Sequence, residues 1–490
     1  MPSSPARRAA TLALVLTLGL APGAAAGPKK TRGSAPEANA TPAPAAGLEP
    51  AALRAMAERL RTEERSTQGA YERLAWLCDR IGPRLSGSPQ AAAAVGWAAA
   101  ALRKDGLKDV RQEPVMVPHW IRGDEEITLV TPVTRPLEGL ALGMSVPTPP
   151  EGLIGEIIEV DSLDALKALG DKVRGRIVLF NAAMWRDPDG EGYGHISPLR
   201  HAGPSAAARQ GAVATLIRSL GTLDARLPHT GTLSYEEDAP KIPAAALSTE
   251  DALHLHRLLQ AGETVRVRMR LDCRTLADAP SANVVGDWRG RERPEEIVLL
   301  GAHLDSWDVG AGAHDDGAGV VMVMEAIHLL KSLDLHPRRT LRAVLYMNEE
   351  NGTRGGKGYA ADHAEELPLH VAAIESDRGA GPPLGFSVAA GPGATDTVRG
   401  FARGLDAIGA TAITEGGDGG VDISRLRAAG VPLLGLKSDM SGYFDWHHSR
   451  GDTLDKIDRA TLADGVVALA VMAYALAEND PPLPRLPPRP

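Results

Sequence analysis

The feature that most constrains the fold is a short, continuously apolar run that leads directly into polar residues. Residues 297–300 are Ile-Val-Leu-Leu, and His303 and Asp305 follow at once, before a Gly-rich loop that carries Asp315. Uninterrupted apolar runs of this length are typical of strands buried on both faces of a parallel sheet. In such sheets, ligands bind beyond the carboxyl ends of the strands. The run therefore predicts a polar site after a central strand.

The same arrangement recurs at three later apolar runs. In chain order these are 341–347, followed by Glu349 and Glu350; 371–374, followed by Asp377; and 431–436, which leads to His447 and His448. One polar turn after a strand is common and needs no function. Four strands that deliver carboxylates or imidazoles at the same end predict one shared site.

Composition excludes some partners, and the N-terminus indicates a compartment. The formal net charge of -9, without a basic patch, argues against nucleic acid as a partner. Arg7 and Arg8 precede an apolar run and small residues, which predicts a secretory signal peptide over 1–26. An uncleaved anchor is the alternative, but the run is too short to span a bilayer comfortably. We expect an exported protein, periplasmic or secreted, without a membrane span after cleavage.

The spacing of apolar residues predicts a discontinuous main domain with an insert. Strands and helices alternate near the beginning and towards the end of the chain, whereas short strands punctuated by Pro and Gly occupy the middle. The predicted segments are a signal peptide 1–26, a disordered linker 27–50, a catalytic domain formed by the two separate segments 51–119 and 276–480, an inserted domain 120–275 between them, and a frayed Pro-rich tail 481–490. The fold class is α/β, a mixed, largely parallel sheet sandwiched by helices.

Other histidines and the cysteines are given no catalytic role. His195, His201 and His229 match no metal-binding spacing and are interpreted as solvated loop residues. Cys78 and Cys273 are as consistent with two separate buried thiols as with one disulfide.

The predicted strand ends offer carboxylates and imidazoles but no thiolate, which suits a divalent metal and most simply zinc. Carboxylates crowded together without metal would raise one another's pKa values. Two cations that share one bridging carboxylate would resolve this conflict and lower the pKa of a shared water. One carboxylate must then stay off the metals as general base. The adjacent pair Glu349 and Glu350 fits this division of roles.

In this order and spacing the motifs resemble those of peptidase family M28, the co-catalytic di-zinc exopeptidases, and its plasma glutamate carboxypeptidase branch. The motifs are His-x-Asp at 303–305, Asp-x-x-Ala-Gly at 315–319, Glu-Glu at 349–350, Glu-Ser-Asp at 375–377, His-Ser-x-x-Asp-Thr at 448–453 and Gly-Pro-Arg-Leu-Ser-Gly at 82–87. The resemblance implies a zinc-peptidase (phosphorylase/hydrolase-like) fold with a protease-associated-type α+β insert. It also suggests homodimers.

Carried over residue by residue, the resemblance implies two zinc ions per chain. Asp315 would bridge the ions, His303 and Asp377 would complete one site, and Glu350 and His448 would complete the other. The motif register favours Asp315 over the adjacent Asp316, which is interpreted as a turn-stabilising carboxylate. It likewise favours His448 over His447, which is interpreted as a packing residue or a residue behind the ligands.

Two further roles are implied by the same resemblance. Glu349 would be the general base that activates water. Asp305 would accept a hydrogen bond from the far nitrogen of His303 and fix its tautomer.

The predicted function is the hydrolysis of dipeptides or short peptides by an exported di-zinc exopeptidase. Three alternatives remain: a single-zinc, glutaminyl-cyclase-like transferase on the same fold, a two-metal phosphoesterase, and a non-catalytic binding module. The complete ligand set and the presence of Glu349 disfavour the first and third, and the order of the ligands disfavours the second.

Overall fold

The computed structural model describes residues 48–487, so the predicted signal peptide and residues 27–47 of the predicted linker lie outside the described residues. The α-helices are α1 (Pro50–Thr67), α2 (Gly69–Arg80), α3 (Pro89–Lys104), α4 (Leu163–Leu169), α5 (Glu191–Arg209), α6 (Thr249–Gln260), α7 (Ala318–Ser332), α8 (Arg354–Asp362), α9 (Ala394–Ala402) and α10 (Arg459–Glu478). The strands are β1 (Lys108–Ile121), β2 (Glu125–Thr131), β3 (Arg135–Leu137), β4 (Gly139–Ala141), β5 (Leu153–Val160), β6 (Ile177–Phe180), β7 (Ala214–Arg218), β8 (Ala244–Leu247), β9 (Arg266–Leu271), β10 (Arg274–Trp288), β11 (Arg293–His303), β12 (Arg339–Tyr346), β13 (His370–Glu375), β14 (Pro383–Ala389), β15 (Ala412–Glu415) and β16 (Leu433–Ser438).

The first sheet has eight strands in the order β1-β10-β12-β11-β13-β16-β14-β15. The pairs β12–β11, β11–β13 and β13–β16 are parallel, whereas β1–β10, β10–β12 and β16–β14 are antiparallel. The four adjacent parallel strands therefore end at the same edge of the sheet. All four apolar runs singled out in the sequence belong to these strands, which confirms the mixed α/β sheet.

Helices cover both faces of this sheet, as predicted. Helices α1, α2, α3, α7 and α10 share one core cluster with the strands, and Tyr359 of α8 packs in a second cluster on the other face. Helix α10 is the one helix of the described chain whose length and apolarity would let it cross a membrane. Most of its side chains are instead buried in the core, which explains its lack of an amphipathic pattern.

The second sheet has the order β3-β2-β9-β5-β6-β7-β8-β4. All of its strands come from residues 125–271, so the chain leaves the first sheet once and returns to it once. The departing strand β1 and the returning strand β10 pair antiparallel, with Ile121 opposite Arg274. The chain passes between the two sheets only through this long pair.

Helix α5 contains Pro198 and Pro204, which obscure its helical spacing in the sequence. One expectation about the chain outside the site is wrong. Residues 481–487 of the predicted tail are not frayed, because Leu483 is buried and Arg485 donates to the carbonyls of neighbouring loops.

Both cysteines are buried and unpaired. Of the two alternatives left open by the sequence, the structure therefore has two separate thiols. Burial raises the pKa of Cys78 to about 12 and that of Cys273 to about 11, which leaves both as unreactive thiols.

Candidate metal centre

The ends of the parallel strands bring the predicted ligands into direct contact. His303, the last residue of β11, places Nε2 3.2 Å from Asp315 Oδ1 and 3.4 Å from Asp377 Oδ1. Asp377 follows β13, the neighbouring parallel strand. These three side chains offer donor atoms close enough to hold one metal ion.

A second group lies on the other side of Asp315. His448 Nε2 is 3.1 Å from Asp315 Oδ2 and 3.1 Å from Glu350 Oε2. Asp315 therefore presents one carboxylate oxygen to His303 and the other to His448. This is the arrangement that a carboxylate bridging two cations requires.

The adjacent acidic residue Asp316 has a different environment. Its Oδ2 accepts from the backbone N–H of His303 and its Oδ1 from that of Gly319, both at 3.1 Å. Both oxygens are therefore engaged in holding the loop between β11 and α7. This agrees with the interpretation of Asp316 as a turn-stabilising carboxylate.

The adjacent histidines are harder to separate. His447 Nε2 also lies near the bridging carboxylate, 3.4 Å from Asp315 Oδ2, and its ring stacks on that of His448 with centroids 3.5 Å apart. Within the described residues, His448 contacts both Asp315 and Glu350, whereas His447 lies near Asp315 alone. The geometry therefore places His448 more centrally, while His447 can also reach a metal bound there.

Glu349 differs from its neighbour Glu350 in what its carboxylate contacts. Glu350 faces His448, but the Glu349 carboxylate makes no hydrogen bond or ion pair with any residue of 48–487 and lines the cavity in front of the ligands. The backbone N–H of Glu349 and that of Asn348 donate to Asp305 Oδ1, at 3.1 and 2.8 Å.

The Asp305 carboxylate therefore accepts from backbone N–H groups of the loop after β12 and not, as expected, from the imidazole of His303. His303 Nδ1 donates to the backbone carbonyl of Asp305 at 3.1 Å, and the carboxylate oxygen is 3.8 Å away. The carboxylate is turned towards the loop after β12 because two backbone N–H groups there compete for it. It therefore positions the Glu349 loop, and the carbonyl of the same residue orients His303.

The arginine of the Gly-Pro-Arg-Leu-Ser-Gly motif holds the loop between β11 and Asp315 in place. Arg84 is fully buried and donates to the carbonyls of Leu304, Ala311 and Gly312 at 2.7, 2.7 and 3.0 Å. These carbonyls lie on both sides of the loop that leads to Asp315. The motif resembles that of the family, but sequence alone gives no role to its arginine.

Asp452 is a second supporting residue that sequence reasoning left without a role. Its two oxygens accept from the backbone N–H groups of His314 and Asp315, at 2.7 and 3.1 Å. The spacing in His-Ser-x-x-Asp-Thr is the signal that could have found it, because the same loop also carries His448. His314 itself accepts from the N–H of Ala380 and lies outside the main cavity.

The interpretation of His229 as a solvated loop residue is wrong. His229 is buried, and its Nδ1 donates to the carbonyl of His447 at 2.6 Å. The next residue, Thr230, donates its N–H to the carbonyl of His448 at 2.8 Å. Residues of the segment between β7 and β8 therefore brace the loop of the histidine ligands. His195 is exposed as expected but lies on α5, and His201 is half-buried on the same helix and lines the cavity.

Burial and crowding shift the titration of the carboxylates. Burial first, and then repulsion from neighbouring carboxylates, raises the pKa of Glu349 well above its ordinary value and that of Glu350 to about 7. Burial acts in the same direction on Asp315, but the surrounding imidazoles outweigh it and hold the pKa of Asp315 well below its ordinary range. Cations placed among these buried carboxylates would stabilise their charged forms.

The donor set fits zinc. The two clusters of donor atoms share Asp315, and they contain imidazole nitrogens and carboxylate oxygens without thiolate. Asp315 Oδ2 and Glu350 Oε1 are also fully buried and accept no hydrogen bond from the stretch of chain that the structure describes. These oxygens are available as metal ligands.

The metal residues open onto a cavity of about 860 Å³. Glu349 and Asp377 line it from the first sheet, and Tyr193, Arg200 and His201 line it from the region between β1 and β10. A volume of this order suits a small-molecule or short-peptide ligand. The cavity is therefore formed jointly by the two regions.

Fold and site together define a zinc-dependent exopeptidase, and the comparisons specify its family. Peptidase family M28 matches residues 283–473. Carboxypeptidase Q from Bos taurus is 38% identical over 416 residues, covering 85% of this chain and 87% of that protein. The chain belongs to peptidase family M28.

Solved structures agree with this assignment. The Peptidase M28 precursor from Shewanella amazonensis SB2B is 40% identical, with a TM-score of 0.87, and the match covers 90% of this chain and 100% of that one. The zinc aminopeptidase BSAP from Bacillus subtilis shares the fold, with a TM-score of 0.61 at 20% identity over 84% of this chain and 95% of that one.

Proposed function

We propose that the chain is an exported peptidase that binds two zinc ions and hydrolyses dipeptides or short peptides. Asp315 would bridge the ions, with His303 and Asp377 on one side and Glu350 and His448 on the other. The observation that carries the proposal is the division of the Asp315 carboxylate, whose two oxygens face different histidines at 3.2 and 3.1 Å. Zinc bound there would polarise the scissile carbonyl and lower the pKa of the attacking water.

Glu349 is the general base in this proposal. Its carboxylate faces the cavity and has no partner among residues 48–487, while its backbone is fixed by Asp305 Oδ1. It would take a proton from the attacking water and return it to the leaving amine. The divided roles of the Glu349–Glu350 pair follow from the different directions of the two side chains.

Substrate size and compartment complete the proposal. The cavity of about 860 Å³ is walled by residues of both sheets, which favours short peptides over folded chains. The Arg7-Arg8 and apolar pattern at the N-terminus supports export. Family resemblance is the basis for expecting a homodimer.

The test is to measure zinc content and dipeptide hydrolysis on wild type and Glu349→Gln. We expect about two zinc ions per chain in both proteins and a loss of kcat of about 1,000-fold or more in the variant. Gln keeps the shape of Glu, so the cavity is preserved. Glu126→Gln, a change at an exposed carboxylate of β2, is the matched control and should retain wild-type activity.

Two results would contradict the proposal. Zinc lost together with activity in Glu349→Gln would make Glu349 a ligand rather than the base. Full zinc occupancy in wild type, without hydrolysis of any dipeptide, would exclude the peptidase function.

A further inference from the structure

One wall of the cavity contains a buried cation without a counter-ion. Arg200 of α5 is 3% exposed, and it forms no ion pair with a carboxylate in the described chain. Its Nη1 is fully buried and has no hydrogen-bond partner among residues 48–487. An unpaired buried charge is costly, so such a group is usually matched by an anion.

The groups that Arg200 does contact are all neutral. Its Nε donates to the carbonyl of Thr232 at 3.1 Å, and its Nη2 donates to the Tyr193 hydroxyl at 2.7 Å. His201 Nε2 lies 3.3 Å from Nη2, and burial, followed by the charge of Arg200, lowers the pKa of His201 to about 4. These partners orient the guanidinium but leave its positive charge uncompensated.

Two further cations line the same cavity. Lys241 and Lys357 are exposed, and neither forms an ion pair within the described residues; Lys357 Nζ donates to the carbonyl of Gly352. The carboxylates that line the cavity are instead gathered at the metal centre. The cavity is therefore lined by carboxylates at the metal centre, which suit metal ions, and by cations elsewhere, which suit an anionic ligand group.

Tyr193 connects Arg200 to the metal centre. Its hydroxyl accepts from Arg200, and its ring packs edge-to-face on His447 with centroids 5.0 Å apart. One aromatic side chain thus separates the guanidinium from the histidine pair. A substrate whose scissile carbonyl lies at the metal residues would place a nearby terminus towards Arg200.

We propose that Arg200 binds the free α-carboxylate of the peptide substrate, with Lys241 adding a longer-range attraction. This inference rests on the proposed peptidase function and assigns the residue that would recognise the carboxyl end of a short peptide. A guanidinium carries a permanent positive charge, and its hydrogen bonds to a carboxylate are stronger than those between neutral groups. The enzyme would read the carboxyl terminus directly.

A purely structural role is the competing explanation for Arg200. Its bonds to Thr232 and Tyr193 join the 230–233 segment to α5. That role would make Arg200 necessary for every ligand alike. The proposal instead requires a loss confined to ligands with a free carboxylate.

The experiment is calorimetry with the zinc-loaded Glu349→Gln protein, so that binding is measured without turnover. The ligands are alanyl-alanine and alanyl-alanine amide, which differ only in the terminal charge. We expect the free dipeptide to bind about 100-fold more tightly than the amide, because only the free acid compensates the buried guanidinium. Adding Arg200→Met should remove that difference by weakening the free dipeptide about 100-fold, with the amide unchanged within about 3-fold.

Arg209→Met is the matched control, because Arg209 lies on the same helix and pairs with Glu236 and Asp238 on the surface. It should bind both ligands as the parent does. Equal affinity of the parent for acid and amide, or no binding of either, would overturn the proposal, even if Arg200→Met fails to fold. An equal loss for both ligands in Arg200→Met would assign Arg200 a structural role.

Failure of the proposed peptidase function is seen separately, by dipeptide hydrolysis in the protein that retains Glu349. A free-acid preference without hydrolysis would support carboxylate recognition and contradict the peptidase. Hydrolysis without a preference for the free acid would support the peptidase function and contradict carboxylate recognition by Arg200. An amide that binds only when it carries a glutamate side chain would overturn the α-carboxylate assignment.

Discussion

The metal centre and helix α5 contribute side chains of opposite charge to one cavity. The strand ends of the first sheet gather Asp315, Glu350 and Asp377 around two histidines, whereas the region between β1 and β10 contributes Arg200 without a counter-ion. Each wall alone would hold uncompensated buried charge. In the two proposals above, metal ions complete the acidic wall and the carboxylate of a substrate completes the basic wall.

The two regions also differ in how they hold their functional groups. The first sheet fixes its ligands at the ends of four adjacent strands, supported by Arg84 and Asp452. The second region acts from the segment between β7 and β8, through His229 and Thr230, on a loop more than 200 residues away in sequence. The first sheet therefore sets most of the ligand geometry, and the insert constrains the loop that carries His447 and His448.

The largest effect is expected from a substitution at the metal centre, in the carboxylate that both histidine groups share. Asp315→Asn removes the charge that both histidine groups share, so we expect loss of both zinc ions and a fall in kcat/KM of about 10,000-fold. Elemental analysis and dipeptide hydrolysis measure the two effects. Retention of one tightly bound zinc would show that Asp315 serves only one site.

The adjacent histidines offer a sharper version of the same test. His448→Phe should lose about one zinc ion and about 100- to 1,000-fold in activity, because His448 contacts both Asp315 and Glu350. His447→Phe keeps the stacked ring pair and should retain two zinc ions. The opposite pattern in zinc content would exchange the roles of the two residues.

A smaller effect is expected when the link between the two regions is removed. His229→Leu deletes the donor to the His447 carbonyl, and we expect zinc affinity and kcat to fall about 10-fold. His195→Leu, at an exposed histidine of the same region, is the control and should match wild type. Unchanged zinc affinity in His229→Leu would mean that the ligand loop keeps its position without this brace.

The smallest effect concerns stability away from both walls. Burial would lower the pKa of His363, but hydrogen bonds with Glu113 and Glu366 outweigh it and raise that pKa to about 9. Its protonated form therefore stabilises the fold fully below the unfolded pKa of about 6.5, and this contribution is lost as pH rises to about 9. His363→Gln should lower the free energy of unfolding by about 2 kcal/mol at pH 6 and by much less at pH 10.

Urea unfolding at the two pH values measures this difference. Activity at pH 7 should stay near that of wild type, because His363 lies outside the cavity. An equal destabilisation at both pH values would contradict the assigned protonation.

The main sheet could be predicted from sequence because its strands are buried on both faces. Their apolar runs are continuous, and His303, Glu350 and Asp377 follow a run within a few residues. Asp315 lies twelve residues after β11, and His448 lies ten residues after β16. Parallel neighbours then bring these ends to one edge. The structure accordingly brings together all five predicted ligands, His303, Asp315, Glu350, Asp377 and His448.

The contribution of the second region could not be predicted in the same way. His229 contacts a carbonyl 218 positions away, so no local pattern marks it. Arg200 lies in a helix whose two prolines hide its period, and strand β8 is the short run Ala-Ala-Ala-Leu. The direction of the Asp305 carboxylate could not be predicted from the sequence either. Both the backbone carbonyl and the carboxylate of Asp305 are suitable hydrogen-bond acceptors for His303.

The most direct test of the two-zinc centre is anomalous X-ray diffraction at the zinc edge on crystals of the zinc-loaded protein. We predict two anomalous peaks per chain, one beside His303 and Asp377 and one beside Glu350 and His448, with Asp315 between them. A single peak, or peaks that do not contact Asp315, would contradict the account.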